Sequence, residues 1–423
     1  MAAEVTIRGD YSPLGMPPTP STTAKPVTGG DRVRHVRLRR RPTVQVAAYA
    51  TAAAITIAVI AYSLSDSPPT APRTGTNSSS PNAGTASSTP SGVQSAPTEA
   101  KPAEKVASAI ARDGTIPAPS GAAFLEGMGI SPNGATIAAI GSNEKATISN
   151  LYVWQLANLQ LQPIILNAPA GGNLTSGMAF DPKNPNDIAV ADLKGVDLWN
   201  LADRQDVTIP FHEGVGTGNG VAYSADGGTL AVAGNGGVNL LNVHTHAWES
   251  WSVDDPANPA AKAEMQDVAI SPTGAVLAAT DNQGRSFEWN LATRARVGGS
   301  FTSVVAAPAF SPNGALLAVG AQGGTRLLNP ATGAEAGNPL AGTDTSPVGD
   351  AFSPDGGTLA VLDGNQTLYL WNLASQRTVK ISCPAGTRAT ATLAFSPDGK
   401  ILAVLNDFDS TIYLFKVTYS NES

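Results

Sequence analysis

The sequence predicts an all-β fold, a seven-bladed propeller, and three observations carry that prediction. The first is a repeat: an apolar residue, a Ser-Pro-Asp-Gly-like turn and a small apolar strand recur seven times. The turns open at Ser131, Asp181, Ser224, Ser271, Ser311, Ser353 and Ser396, at steps of 50, 43, 47, 40, 42 and 43 residues. A period near 40–45 with strand-like content marks propeller blades. The second is an alternating apolar and polar run about 20 residues after each turn, as in LYVWQL from Leu151, VDLWNL from Val196 and LYLWNL from Leu368, the pattern of a half-buried strand. The third is a further short run in most units, at 161–166, 206–211, 248–253 and 377–382. Four strands make one blade, and seven such units close a ring.

Each turn has the chemistry of a short hairpin. Proline presets φ at its first position, Asn or Asp tolerates the second, and Gly supplies a positive φ at the third. The turn therefore joins the first strand of a blade to the second.

The pattern resembles WD40-repeat proteins, in the bacterial form whose blades carry LWN-x-ATG followed by FSPDG. Residues 329–356, NPATGAEAGNPLAGTDTSPVGDAFSPDG, are the closest stretch, and the likeness covers roughly residues 121–418. Trp154, Trp199, Trp289 and Trp371 keep the family's tryptophan position, while Leu241, Leu328 and Phe415 stand at neighbouring or equivalent sites. The family's Gly-His dipeptide is absent, and its Asp before the tryptophan strand matches only at Asp409. The resemblance therefore implies blades held by apolar packing rather than by a buried polar tetrad.

Strand counting leaves the last blade one strand short, since the chain stops soon after the run from Thr411. Residues 106–119 contain Thr115-Ile116-Pro117, like Thr208-Ile209-Pro210 in a fourth-strand position. They are predicted to pair onto the last blade, because an open edge would otherwise remain. The propeller is thus assigned to residues 106–423.

Three segments precede it. Residues 1–43 carry eight basic and three acidic residues, with arginines at 32, 34, 37, 39, 40 and 41, and read as a disordered basic cytoplasmic tail. Residues 44–64 hold no charge over 21 residues; as a helix they span about 31 Å against a bilayer core of roughly 30 Å. Tyr49 and Tyr62 lie near the ends, where interfacial aromatics are favoured. The arginines on the N-terminal flank set the orientation: N-terminus in the cytoplasm, propeller outside. A cleaved signal peptide is the competing reading, against which stand the long n-region and the poor site at Ala61-Tyr62-Ser63; a buried soluble helix lacks a polar face. Residues 65–105 are rich in Pro, Ser and Thr, too polar to offset chain entropy, and read as a disordered stalk.

Charge is divided unevenly. The chain's net −7 includes +5 in residues 1–43 and nothing net in 44–120, so the propeller carries about −12. Such an acidic surface argues against nucleic acid as a partner. The single cysteine, Cys383, excludes intrachain disulfides and reads as a buried inert thiol. Low cysteine with high alanine and proline suits a high-GC bacterium.

Catalytic apparatus is not evident. His244-Thr245-His246 fall in a tight turn, and two ligands fall short of a metal site. No Gly-x-Ser-x-Gly elbow, CxxC or HExxH occurs. The reading assigns no catalytic residue, metal or cofactor. The loops between second and third strands, and the long connection 252–266, emerge on one face and carry Asp254, Asp255, Lys262, Asp281, Arg285, Asp363, Asp407 and Asp409, the candidate partner-binding residues. Aspartate is also the ordinary turn residue, so these side chains are equally read as turn caps. The expected function is a membrane-anchored, extracytoplasmic, non-catalytic protein-binding module for a partner the sequence does not name. The alternatives are a sensor taking a small ligand at the propeller channel, and a propeller enzyme of lactonase-like or quinone-dependent type.

Overall fold

The computed structural model describes residues 105–421, apart from 144–148, 170–173, 212–215, 253, 256–257, 303–306, 322, 338–339, 341–345, 384–391 and 407–408. The expected tail, membrane span and stalk lie outside the described residues, save Lys105, which begins the first strand. Among the described residues no helix is long and apolar enough to cross a membrane.

A strand β1 (Lys105–Pro117) comes first, and seven blades follow. Blade 1 comprises β2 (Phe124–Ile130), β3 (Thr136–Ser142), β4 (Ser149–Gln155) and β5 (Ile164–Asn167). Blade 2 comprises β6 (Leu174–Phe180), β7 (Asp187–Asp192), β8 (Gly195–Asn200) and β9 (Gln205–Pro210). Blade 3 comprises β10 (Gly218–Tyr223), β11 (Thr229–Gly234), β12 (Gly237–Asn242) and β13 (Trp248–Ser252). A separate hairpin of β14 (Asp254–Asp255) and β15 (Asn258–Lys262) intervenes. Blade 4 then comprises β16 (Met265–Ile270), β17 (Val276–Asp281), β18 (Arg285–Asn290) and β19 (Arg296–Thr302). Blade 5 comprises β20 (Ala309–Phe310), β21 (Leu317–Ala321), β22 (Gly324–Asn329) and β23 (Ala334–Glu335). Blade 6 comprises β24 (Pro347–Phe352), β25 (Thr358–Asp363), β26 (Thr367–Asn372) and β27 (Thr378–Ser382). Blade 7 comprises β28 (Thr392–Phe395), β29 (Ile401–Asn406) and β30 (Thr411–Asn421), with β1 as its fourth strand.

That last pairing closes the ring as the strand count required. β1 runs antiparallel to β30 from Lys105 opposite Asn421 to Pro117 opposite Thr411. β1 nearly matches the expected 106–119, β30 runs beyond the expected Val417 to Asn421, and the register slips at two places, between Ala107 and Ala109 and between Arg112 and Gly114. The fourth strand of blade 1 begins at Ile164, later than the run from Leu161 suggested; Leu161 stays exposed in the preceding turn.

The predicted hairpin turn is built by its serine. At Ser353 the hydroxyl accepts the Thr358 amide at 3.0 Å and donates to Asp355 at 2.6 Å, while Asp355 accepts the Gly357 amide. Ser131, Ser224, Ser311 and Ser396 repeat this, each donating to an Asn or Asp two residues on. The turn glycines sit at positive φ, near +70°, where an L side chain is strained. Several turns lean on a neighbour: Gly134 on Pro397, Gly356 on Pro312, Gly399 on Pro354. A second turn, between third and fourth strands, is capped by the Asn of the LWN phrase. Asn200, Asn242, Asn290, Asn329 and Asn372 accept amides two or three residues on. The residue four after each Asn has positive φ; only one of the five, Gly333, is glycine, the others being Arg204, His246, Arg294 and Gln376.

The core is divided into seams between adjacent blades rather than gathered at one centre. Trp154, Trp199, Trp289 and Trp371 are each at most 7 % exposed and face the preceding blade, as do Leu241, Leu328 and Phe415. In blades 1, 4 and 6 the tryptophan stacks on an aromatic two residues earlier: Tyr152, Phe287 and Tyr369. A small-to-large interlock runs round the ring. Phe180, before the turn of blade 2, lies against Gly129 of the preceding inner strand, and in five other seams the residue before the turn (Tyr223, Ile270, Phe352, Phe395, Ile130) joins the same cluster as a small residue of the preceding inner strand (Ala179, Ala222, Ala309, Ala351, Ala394). Between blades 1 and 4 the inner strands approach through glycine. A Cβ on Gly127 would lie 1.9 Å from the Ser176 carbonyl oxygen, and one on Gly177 2.2 Å from that of Asn219.

Candidate partner-binding face

The loops from second to third strands and the connections between blades share one end of the propeller; the serine turns occupy the other. The hairpin of β14 and β15 stands at the first end. Asp254 lies opposite Lys262 and Asp255 opposite Asn258, and Lys262 is exposed. Just beyond, Glu264 bridges to Asn235 in the blade 3 loop, and accepts the Asn282 amide at 3.0 Å and the Asn282 side-chain amide at 2.9 Å in the blade 4 loop. The hairpin is therefore tied to two neighbouring loops. Phe124 and Leu193, 44 % and 37 % exposed, add apolar surface at this end.

The expected acidic residues separate into two kinds. Asp281 and Asp363 end β17 and β25 and are 0 % exposed. Asp281 accepts the Gln283 and Arg285 amides at 3.0 and 2.8 Å, and Arg285 Nε donates to its second oxygen at 2.6 Å. Asp363 accepts the Asn365 and Thr367 amides at 3.0 and 2.8 Å, and the Tyr369 hydroxyl approaches its other oxygen at 3.4 Å. Asp192, 2 % exposed, likewise accepts the Lys194 amide. These carboxylates shape the loops and present no free oxygen to solvent, so Asp281 and Asp363 cap turns, and Arg285 is engaged by Asp281. Asp409 is exposed and accepts the Tyr413 hydroxyl at 2.5 Å, while Asp407 lies outside the described residues. Of the predicted set, Lys262 and Asp409 are exposed side chains at this end, with Asp254 and Asp255 on the backbone of the hairpin.

Sequence reasoning missed a group of buried carboxylates in the seams. Asp350 on β24 holds a position that is apolar in other blades (Met128, Met178, Val221, Val268, Leu393). One of its oxygens accepts the Thr325 hydroxyl of blade 5 at 3.1 Å; the other is buried with no hydrogen-bond partner among the described residues. Glu288 on β18, 0 % exposed, stands beside Trp289 where Val153, Leu198, Leu327, Leu370 and Leu414 stand elsewhere, and only its Oε1 is bonded, to Ser286. Asp197 on β8 accepts the Thr208 hydroxyl at 2.6 Å. Burial pushes the carboxyls of Asp350 and Glu288 up to about 7 and that of Asp197 up to about 6. For Asp350 and Glu288 the signal was present in the sequence as a charge at a strand position whose equivalents are mostly apolar; Asp197 stands where other blades carry Tyr, Asn, Phe or Arg and gave no such signal.

The remaining chemistry-bearing residues are dispersed. His244 and His246 are exposed in the third-to-fourth turn of blade 3, at the serine-turn end; His212 is outside the described residues. The Cys383 thiol, 7 % exposed, is pushed up to about 12 by burial and next by the Asp363 charge, and stays protonated. Among the described residues no three His, Cys, Asp or Glu side chains gather into a group able to hold a metal ion.

No family model matches the chain, and no curated protein matches it. Many solved structures do match in fold. One is a chain in a crystal structure of a mitotic checkpoint complex: TM-score 0.59, 18 % identity, 77 % of this chain and 97 % of that one covered. At that identity the likeness shows the fold alone, a seven-bladed propeller.

Proposed function

We propose that the propeller is a non-catalytic docking platform for another protein, held outside the cytoplasm by its N-terminal segment, and that partners bind the end carrying the β14–β15 hairpin. The observation that carries this reading is where the chain joins the ring. Lys105 lies among the serine turns of blades 6 and 7, with Pro354, Asp355, Pro397 and Asp398 around it. A tether attached there leaves the opposite end free. That end bears the β14–β15 hairpin, exposed apolar side chains and Asp409, while the caps at Asp281 and Asp363 fix loops that a partner would meet. The structural likeness to a chain of a multiprotein assembly is consistent with protein partners. The uncharged span after an arginine cluster supports the extracytoplasmic assignment.

A photo-crosslinking residue at Lys262, on the hairpin, or at His244, on the serine-turn end, tests the docking assignment in intact cells. Crosslinks to the same protein from position 262 and none from 244 are expected. Crosslinking from 244 alone, or equally from both, overturns it. Protease added outside intact cells should release the folded propeller, and full protection would place it in the cytoplasm.

A further inference from the structure

Where the ring closes, beside the approach of Gly134 to Pro397, blades 7 and 1 line a cleft of about 500 Å³, within the range of roughly 300–1,000 Å³ typical of small-molecule sites. Its floor is aliphatic, from Leu156 and Leu159 of blade 1 and Ile401 and Leu414 of blade 7. Its rim carries two carboxylates, Asp113 of β1 and Asp398 of the blade 7 turn, and no basic side chain lines it.

Asp113 owes its position to an irregularity in β1. The register passes from Arg112 opposite Phe415 to Gly114 opposite Leu414, so Asp113 is the extra residue of a bulge. A bulged residue is freed from the ladder and re-aims its side chain. Asp113 is exposed and makes no side-chain hydrogen bond or ion pair among the described residues. Asp398 is fixed differently: its Oδ1 accepts the Ser396 hydroxyl at 2.6 Å and the Lys400 amide at 3.1 Å. Those bonds hold its carboxyl below the usual range, so it stays charged. Its other oxygen meets Lys400 Nζ at 3.3 Å, but that ammonium is 70 % exposed, and an exposed pair of this kind competes weakly.

We propose that this cleft is a binding site for a small organic cation with an apolar body, of the alkylammonium class. Its hydrocarbon part covers the four aliphatic side chains, and its charged head sits between Asp113 and Asp398. The site is at the opposite end of the ring from the docking face, and neither reading depends on the other.

Calorimetric titration of the full-length chain with n-hexylammonium, and with the neutral 1-hexanol and anionic hexanoate as matched probes, tests it. Saturable binding of hexylammonium with Kd about 1 mM or tighter, at least about tenfold tighter than hexanol, is expected, and it should weaken as salt rises. Asp113→Asn combined with Asp398→Asn should abolish the preference for ammonium over alcohol, and Leu159→Ser should weaken both probes. Equal affinity for hexylammonium and hexanol in the wild type, or unchanged hexylammonium affinity in the double Asn variant, overturns the proposal. Should the double variant fold poorly, the wild-type comparison of the three probes still decides.

Discussion

At the scale of single residues, the propeller rests on side chains that repeat one task seven times. Trp371 lies at 4 % exposure, stacked on Tyr369 with ring centroids 5.3 Å apart and facing blade 5. Trp371→Ala should cost ~3–5 kcal/mol, as large-to-small core changes do, read from chemical denaturation; a loss under about 1 kcal/mol would contradict its place in the seam. The Asn-capped turns make an opposite forecast. Arg204 holds a φ of +59° that costs an L residue roughly 1–2 kcal/mol, more than the roughly 0.5–1 kcal/mol that glycine's chain entropy takes back. Arg204→Gly should therefore raise stability by about 0.5 kcal/mol, whereas Arg204→Val should lower it. Equal midpoints for the two variants would show that the turn relaxes without strain.

At the scale of elements, β1 behaves as a full strand of blade 7. Ile116 is 2 % exposed and packs with Leu125, Ile412 and Leu414. Ile116→Ala should cost ~2–5 kcal/mol in thermal or urea unfolding; a change within about 0.5 kcal/mol is what a surface linker would give. The inner strands are as exacting for a different reason. Gly177→Ala puts a methyl group into the Asn219 backbone, so it should destabilise by ~1–3 kcal/mol even though alanine is the commoner strand residue.

These elements also show what could be read in advance. The serine turns and the tryptophan strands were legible because each depends on local residues at fixed spacing, and the closing strand because counting strands left the last blade one short. The seam that gathers Phe352 and Ala309 was not, since it joins positions 43 residues apart and needs the blade geometry first. The acidic loops were legible as loops. Whether Asp281 points at a partner or at its own turn is decided by backbone hydrogen bonds that composition does not encode. Asp409 and Asp281 look alike in sequence and differ in exposure because Asp281 is enclosed by Arg285 while Asp409 stays in solvent.

At the scale of the whole molecule, blade 5 is flanked by the two most perturbed carboxylates. Glu288 reaches toward it from blade 4 and Asp350 from blade 6. Around Glu288 stand Ser286 and Arg296, with Arg326 on blade 5 engaged by Glu335 at 3.2 Å; Asp350 meets the Thr325 hydroxyl. Both acids bind their protons more tightly folded than unfolded. Between their ordinary range, near 4, and about 7, the native state carries the excess protons, so stability falls as pH rises. The unfolding temperature should therefore be higher at pH 5 than at pH 8. Glu288→Gln and Asp350→Asn should remove most of that slope, chiefly by stabilising the protein at pH 8. A flat wild-type profile across this interval, or a slope unchanged in the double variant, would contradict the assignment.

The same closure that completes blade 7 also makes it the joint where a pull on β1 is resisted. A force applied at Lys105 enters the ring through β1. That strand is bound to β30 along its whole length, from Asn421 to Thr411, and its Ser108 hydroxyl donates to Thr418, 310 residues away in the chain. A pull along β1 loads this ladder in shear, many hydrogen bonds sharing the force at once, instead of peeling them one by one. β1 also packs on blade 6 through Ala107, and release of the clasp would loosen the ring at blade 7, beside the cleft that Asp113 and Asp398 line.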